Sequence, residues 1–221
     1  MSPEKQNMNF LDEISFFFHA SRQVIKKVTI SAIDGFNSIF SVDEGMRSHF
    51  YLDKGVQYTK RGRYNQAIGL LESVLEEHPM QKDALFHLGF CYLKVEDTER
   101  GIALLEKAEG SGDNSSQIYS ILGMAYLQSK QYDKAVDIIQ KALSFDSKNF
   151  NLNYRLGVAL DNLKQYEQSL AAFEKAAELK PNEAKVYQSM GFVYEQMDRH
   201  EDAIINFKKA AHLEDGKQDL S

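Results

Sequence analysis

The sequence predicts an all-α protein, a superhelical solenoid built from antiparallel helix pairs. The first warrant is a strict period: glycine returns every 34 residues, at Gly55, Gly89, Gly123, Gly157 and Gly191. The second is what travels with it. Three residues after each glycine stands Tyr58, Tyr92, Tyr126, Leu160 or Tyr194, and four before it Tyr51, Leu85, Tyr119, Asn153 or Tyr187. The third is a pair of small-residue columns, Ala67, Gly101, Ala135, Ser169 and Ala203, then Val74, Ala108, Ala142, Ala176 and Ala210. A fixed period of this length marks stacked repeats. Small residues recur where two helices cross, because a larger side chain would force the axes apart. Glycine inside a helix costs about 0.5 to 1 kcal/mol relative to alanine, so keeping it at one phase in every repeat implies a close contact that offsets the loss.

Ahead of the repeats, residues 1–9 read as a frayed start. Phe10, Leu11, Ile14, Phe17, Phe18, Ser21, Val24, Ile25 and Val28 then recur at spacings of three and four, one face of a helix about five turns long. Asp12 and Glu13 in its first turns and Lys26 and Lys27 in its last suit the helix dipole. After Ser31, Ile33, Phe36, Ile39 and Phe40 suggest a second, shorter helix, interrupted by the turn-like Asp34-Gly35 pair. Residues 10–47 are therefore expected to be an amphipathic helical segment, a degenerate repeat in which Ser21 stands 34 residues before Gly55 without the other signature positions.

Five repeats follow, at 48–81, 82–115, 116–149, 150–183 and 184–217, with a tail at 218–221. The first helix of each is expected to end near Gly62, Asp97, Lys130, Lys164 or Asp198. Pro79 and Pro181 stop the second helices of their units, since proline cannot continue a helix. Between the second and third repeats the run EGSGDNSS adds Gly110 and Gly112 and no bulky apolar residue. That linker divides the solenoid into repeats 1–2 (48–115) and repeats 3–5 (116–217); it is where a bend is expected if the solenoid bends, the alternative being a slightly longer turn with no functional motion. Solenoids normally end in a helix with a polar outer face. None is evident after the fifth repeat, so the last helix is expected to tolerate solvent or meet a partner.

Composition bounds the function. The 221 residues are 43% hydrophobic and 26% charged, ordinary for a globular chain. A net charge of -6 and a pI near 5.6 argue against nucleic acid as a partner, which calls for a clustered basic surface. One cysteine cannot form an internal disulfide, and neither a signal-peptide pattern nor an apolar run of about 18 residues is present. The expectation is a cytoplasmic protein whose membrane association is peripheral.

No catalytic, metal or cofactor constellation emerges. Phosphate-binding glycine loops, nucleophile elbows, His-Glu-x-x-His and paired-cysteine motifs are all missing. Cys91, beside Phe90 and Tyr92, reads as a small core filler. His19, His49, His78, His87, His200 and His212 are scattered, whereas metal binding needs ligands that converge. The chain is expected to be no enzyme and to hold no cofactor.

The period together with its Gly, Tyr and Ala spacing resembles the tetratricopeptide (TPR) pattern. That resemblance implies that the first helices of the repeats line a concave groove, faced by residues three before, one after and four after each glycine. These are Leu52, Val56 and Thr59; Phe86, Phe90 and Leu93; Ser120, Met124 and Leu127; Tyr154, Val158 and Asp161; Gln188, Phe192 and Glu195. Arg155 and Lys185 stand close by. The set is too apolar for the Lys, Asn and Arg clamp with which chaperone-binding members grip a terminal carboxylate. An apolar stripe of this kind normally marks an interaction surface, and Phe86, Phe90 and Phe192 are read that way. Val56 and Val158 serve equally well as packing residues. The partner-binding candidates are Val56, Phe86, Phe90, Met124, Leu127, Tyr154, Arg155, Val158, Asp161 and Phe192.

A narrower resemblance lies in RLGVALDNLKQYEQSLAAFEKA from Arg155, YEQMDRHEDAIINFKKAAHLED from Tyr194 and the opening LDEISFFFHA. Together these are similar to the tetratricopeptide proteins associated with bacterial magnetosomes. The resemblance implies a scaffold that self-assembles on the cytosolic side of magnetosome vesicles and recruits other proteins there; the alternative is a monomeric peptide-binding adaptor or co-chaperone. Phe17, Phe18, Val24 and Ile25 are the self-assembly candidates. Their helix could continue the stack of its own chain, lie in the groove of a neighbouring molecule, or rest on a membrane surface, where Arg22, Lys26 and Lys27 against Asp12 and Glu13 leave a small positive excess.

Overall fold

The structure is a computed structural model, and it describes residues 14–15, 17–18, 44–110 and 116–218. Residues 44–110 and 116–218 form ten helices: α1 Glu44–Lys60, α2 Tyr64–Glu77, α3 Lys82–Lys94, α4 Thr98–Gly110, α5 Ser116–Gln128, α6 Tyr132–Phe145, α7 Phe150–Asn162, α8 Tyr166–Leu179, α9 Ala184–Gln196 and α10 His200–Gln218. The chain divides into two compact units, Met1–Ala108 and Glu109–Ser221. The linker residues 111–115, Gly112 included, lie outside the described residues.

Within each unit the repeated glycine is where the two helices of a pair meet. A Cβ placed on Gly55 would fall 2.7 Å from Leu71, and one on Gly89 would fall 2.9 Å from Leu105. In the second unit Gly123, Gly157 and Gly191 stand in the same relation to Ile139, Phe173 and Phe207, at 2.6, 2.6 and 2.5 Å. The partner is always sixteen residues on. Each glycine thus opens a notch that the large apolar side chain of the second helix fills, and burial of that side chain supplies about 1.5 to 3 kcal/mol. The small column twelve residues after the glycine closes the same crossing. Ala67, Ala135 and Ala203 are fully buried, Gly101 touches Leu93, and the buried Ser169 hydroxyl donates to the Gly157 carbonyl at 2.8 Å.

The turn inside each pair is equally regular. Gly62, Glu96, Lys130, Lys164 and Asp198 take left-handed φ values of 55 to 73°. The next residue in each case donates its N–H five residues back, to the carbonyl of Tyr58, Tyr92, Tyr126, Leu160 or Tyr194, at 2.9 Å. This is the Schellman closure, and glycine occupies its left-handed position without strain only at Gly62. In the second repeat that residue is Glu96, not the expected Asp97. Asp97 opens the next helix instead, accepting the Arg100 N–H at 3.2 Å and pairing with the guanidinium at 2.5 Å. Arg100 also donates to the Tyr92 hydroxyl at 3.0 Å, and Tyr92 donates to Glu72. Burial and then that bond push the Tyr92 hydroxyl up to about 12, so α2, α3 and α4 are tied by a neutral phenol.

Asn153, which breaks the aromatic column, is buried at 3% exposure. Its amide donates to the carbonyls of Asn149 at 2.9 Å and Ser147 at 3.1 Å, so the polar group is satisfied where other repeats place a ring. Cys91 is fully buried, 3.2 Å from the Thr59 hydroxyl, and burial pushes its thiol up, making it inert packing.

Of the leading segment, Ile14, Ser15, Phe17 and Phe18 are described and helical. Phe17 is 61% and Phe18 73% exposed. Val24 and Ile25 lie outside the described residues. The helix α1 starts at Glu44, ahead of residue 48, and Ser48 and Phe50 are buried.

Candidate functional site

In the first unit the expected groove residues separate into two groups. Val56, Phe86 and Phe90 are half-buried and face outward from α1 and α3. The Phe90 ring meets Tyr64 edge-on at 6.2 Å and carries the Lys94 ammonium 5.2 Å above it. Thr59 and Leu93 were expected on the groove face and are core residues instead. Thr59 is 6% exposed and donates to the Gly55 carbonyl at 2.9 Å, while Leu93 fills the space left by Gly101. The position four residues after the glycine is turned toward the neighbouring helix in this unit. Beside Phe86, His87 keeps a buried Nδ1 without a hydrogen-bond partner.

In the second unit the first helices α5, α7 and α9 lie side by side. Met124 and Leu127 from α5, Tyr154, Arg155, Val158 and Asp161 from α7, and Phe192 from α9 fall on their shared face. All are half-buried except Phe192, which is 56% exposed with its ring edge-on to Phe207 at 5.1 Å. Val158 and Tyr154 pack against the core beneath. Tyr154 stacks on Phe150, approaches Phe173 at 5.5 Å, and places its hydroxyl 3.2 Å from Ser189 of α9. Lys185 lies 5.1 Å from the Tyr154 ring, and Lys180 lies 4.7 Å from Phe150. Both lysines set positive charge beside these rings, Lys185 six residues before Gly191.

Two charges on this face are out of balance. Arg155 reaches back to α5 and donates to the Ser120 carbonyl at 3.4 Å, a long bond, and to the Met124 sulfur at 3.5 Å, a weak acceptor. Burial lowers its guanidinium from the ordinary value. Asp161, two turns further along α7, has its carboxyl raised by burial. Neither makes an ion pair with any described residue. A charge held half out of water without a counter-charge reduces folding stability, and such groups collect where a ligand supplies the missing partner. Among the described residues no three His, Cys, Asp or Glu side chains converge as a metal site would require. No helix of the described residues is long and apolar enough to cross a membrane.

Comparison with known proteins bears on the same repeats. Tetratricopeptide repeat family models match residues 126–191 and 184–214, and a model described as anaphase-promoting complex, cyclosome, subunit 3 matches residues 60–142. These matches and the Gly-centred helix pairs define a tetratricopeptide-repeat protein. The magnetosome protein MamA of Paramagnetospirillum magnetotacticum is 39% identical over 81 residues, 37% of each chain. MamA of Magnetospirillum gryphiswaldense is 38% identical over 89 residues, 40% of each chain. The matched segment thus spans about two fifths of these curated relatives. Over whole solved structures the likeness is longer. MamA of strain MSR-1 superposes with a TM-score of 0.74 at 37% identity, over 78% of this chain and 99% of that one. MamA of strain AMB-1 gives 0.71 at 42%, over 75% and 98%. The chain belongs to the MamA family.

Proposed function

We propose that the chain is a non-enzymatic protein-interaction scaffold that assembles with copies of itself at the cytoplasmic face of magnetosome vesicles, as a peripheral component, and recruits further proteins through the first-helix face of its repeats. One observation supports the recruiting part: Arg155 and Asp161 stand half-buried and without a counter-charge on a face otherwise made of Met124, Leu127, Tyr154, Val158 and Phe192. The partner that suits such a face is an amphipathic helix with an apolar stripe and charges of both signs. The leading segment, read from its sequence pattern as such a helix, supplies one: Phe17 and Phe18 are exposed, and Asp12, Glu13, Arg22, Lys26 and Lys27 flank the stripe in sequence. Val24 and Ile25 extend the same stripe in sequence. Seated in the next molecule, it gives a head-to-tail contact that propagates, as a vesicle coat requires. The magnetosome location rests on the family, whose relatives are magnetosome proteins.

Light scattering on the full chain tests this. The chain is expected to run as a multi-subunit species. Phe17→Asp with Phe18→Asp, or Arg155→Glu with Asp161→Lys, is expected to break that species down while helicity is kept. Removal of residues 1–43, which spares α1 whole, is expected to do the same. A wild-type protein that stays at 25.2 kDa at high concentration would instead support the monomeric adaptor. Assemblies of unchanged size in all three variants overturn the helix-in-groove contact.

A further inference from the structure

The last helix breaks the pattern that its predecessors keep. On α10, Ala203, Phe207 and Ala210 face α9, leaving Glu201, Ile204, Ile205 and Lys208 as one stripe on the far side, at the i, i+3, i+4, i+7 spacing. Ile204 is 51% and Ile205 63% exposed. The residue in phase with Ile204 on α8 is Leu170, which α9 covers down to 5% exposure. The residues in phase with Ile205 are Gly69, Ala103, Asp137 and Ala171, small or polar in every other repeat. Those in phase with Lys208 are Glu72, Glu106, Gln140 and Glu174, so the charge reverses only here, while Glu201 keeps the acidic or amide character of Asn65, Glu99, Asp133 and Glu167. The outer face of α10 alone therefore combines two bulky apolar side chains with one charge of each sign.

That charge order identifies the occupant. Glu201 lies three residues before Ile204, and Lys208 three residues after Ile205. If two copies of this helix run antiparallel about a two-fold axis between Ile204 and Ile205, each Ile204 meets the other copy's Ile205. Each Glu201 then meets the other copy's Lys208. A parallel arrangement would set like charges together. We infer that α10 is a self-complementary contact through which two copies of this chain pair across a two-fold axis, with four isoleucines at the centre and two Glu–Lys pairs at the rim. This contact is separate from the head-to-tail one proposed above. A chain that carries both joins assembled rows to one another rather than only lengthening them.

The test is run on the full chain with Ile205→Cys and a short bismaleimide, the buried Cys91 leaving the new thiol as the reactive one. A cross-linked species of twice 25.2 kDa is expected. Adding Lys208→Glu or Glu201→Lys singly should lower its yield at least about tenfold, as like charges then face each other across the axis. The double exchange Glu201→Lys with Lys208→Glu restores it, and loss in each single variant with recovery in the double exchange is the outcome special to the antiparallel two-fold pairing; mixing the two single variants restores it as well. In parallel, sedimentation of Ile205→Asp should show the two-fold contact weakened by about tenfold or more. All of these readouts also apply in the Phe17→Asp, Phe18→Asp background. Survival of head-to-tail assemblies there overturns the groove contact alone. Absence of the cross-link, an equal yield in the single charge variants, or failure of the mixed variants to restore it overturns the α10 pairing.

Discussion

The Phe173 ring lies directly against the backbone of Gly157, so that a Cβ on the glycine would meet Cδ1 and Cε1 at 2.6 Å. Phe173 is 1% exposed and an aromatic ring cannot fold out of the way. Gly157→Ala is therefore expected to destabilise the protein by about 1 to 3 kcal/mol even though alanine is the better helix former. Gly69, out of phase with the repeat and on the exposed side of α2, has nothing within 4 Å of the corresponding position. Gly69→Ala is expected to stabilise by about 0.5 to 1 kcal/mol. Urea unfolding of both variants checks the contrast. A neutral Gly157→Ala would mean that the helix crossing has slack.

His87 is expected to make the first unit sensitive to mild acid. Burial lowers its pKa below 6.5, Lys60 acts in the same direction, and Asp83 opposes them. The unfolded chain takes up the proton near 6.5 and the folded one resists it, so stability is intact above that pH. It is lost as the pH falls from the unfolded value toward the folded one. His87→Leu removes both the titration and the unpaired Nδ1, and is expected to gain about 1 kcal/mol at neutral pH. Unfolding midpoints at pH 7.5 and 5.5 provide the measurement. Equal losses in wild type and variant would assign the acid sensitivity to another group.

Asp161 works in the opposite sense. Burial raises its carboxyl, so the folded chain holds the proton more tightly than the unfolded one and the ionised form costs stability at pH 7. That cost is relieved as the pH falls through the folded value. Asp161→Asn is expected to raise stability at pH 7 by less than about 1 kcal/mol, given its partial exposure, with the advantage shrinking by pH 4. The same variant is expected to bind a peptide of residues 10–31 more weakly. A variant that is more stable and binds as well as wild type would remove Asp161 from the recognition surface.

The division of labour between sequence and tertiary structure follows from the range of each interaction. Helix pairing, the glycine notch and the turn are contacts between residues within one repeat, so their spacing was written in the chain, and the all-helical solenoid could be read from Gly55 to Gly191 without coordinates. Even there Glu96 took the left-handed position expected of Asp97, because the Schellman bond counts back to Tyr92 and leaves Asp97 to cap α4. Exposure was different. Thr59 and Asp161 share one phase of the repeat, yet one is buried against Cys91 and the other is a half-buried charge. Leu170 and Ile204 also share a phase, yet α9 covers the first and the second meets solvent. A repeat position specifies which way a side chain points. What it points at is supplied by the neighbouring helix, and only the packed structure decides whether that neighbour is present.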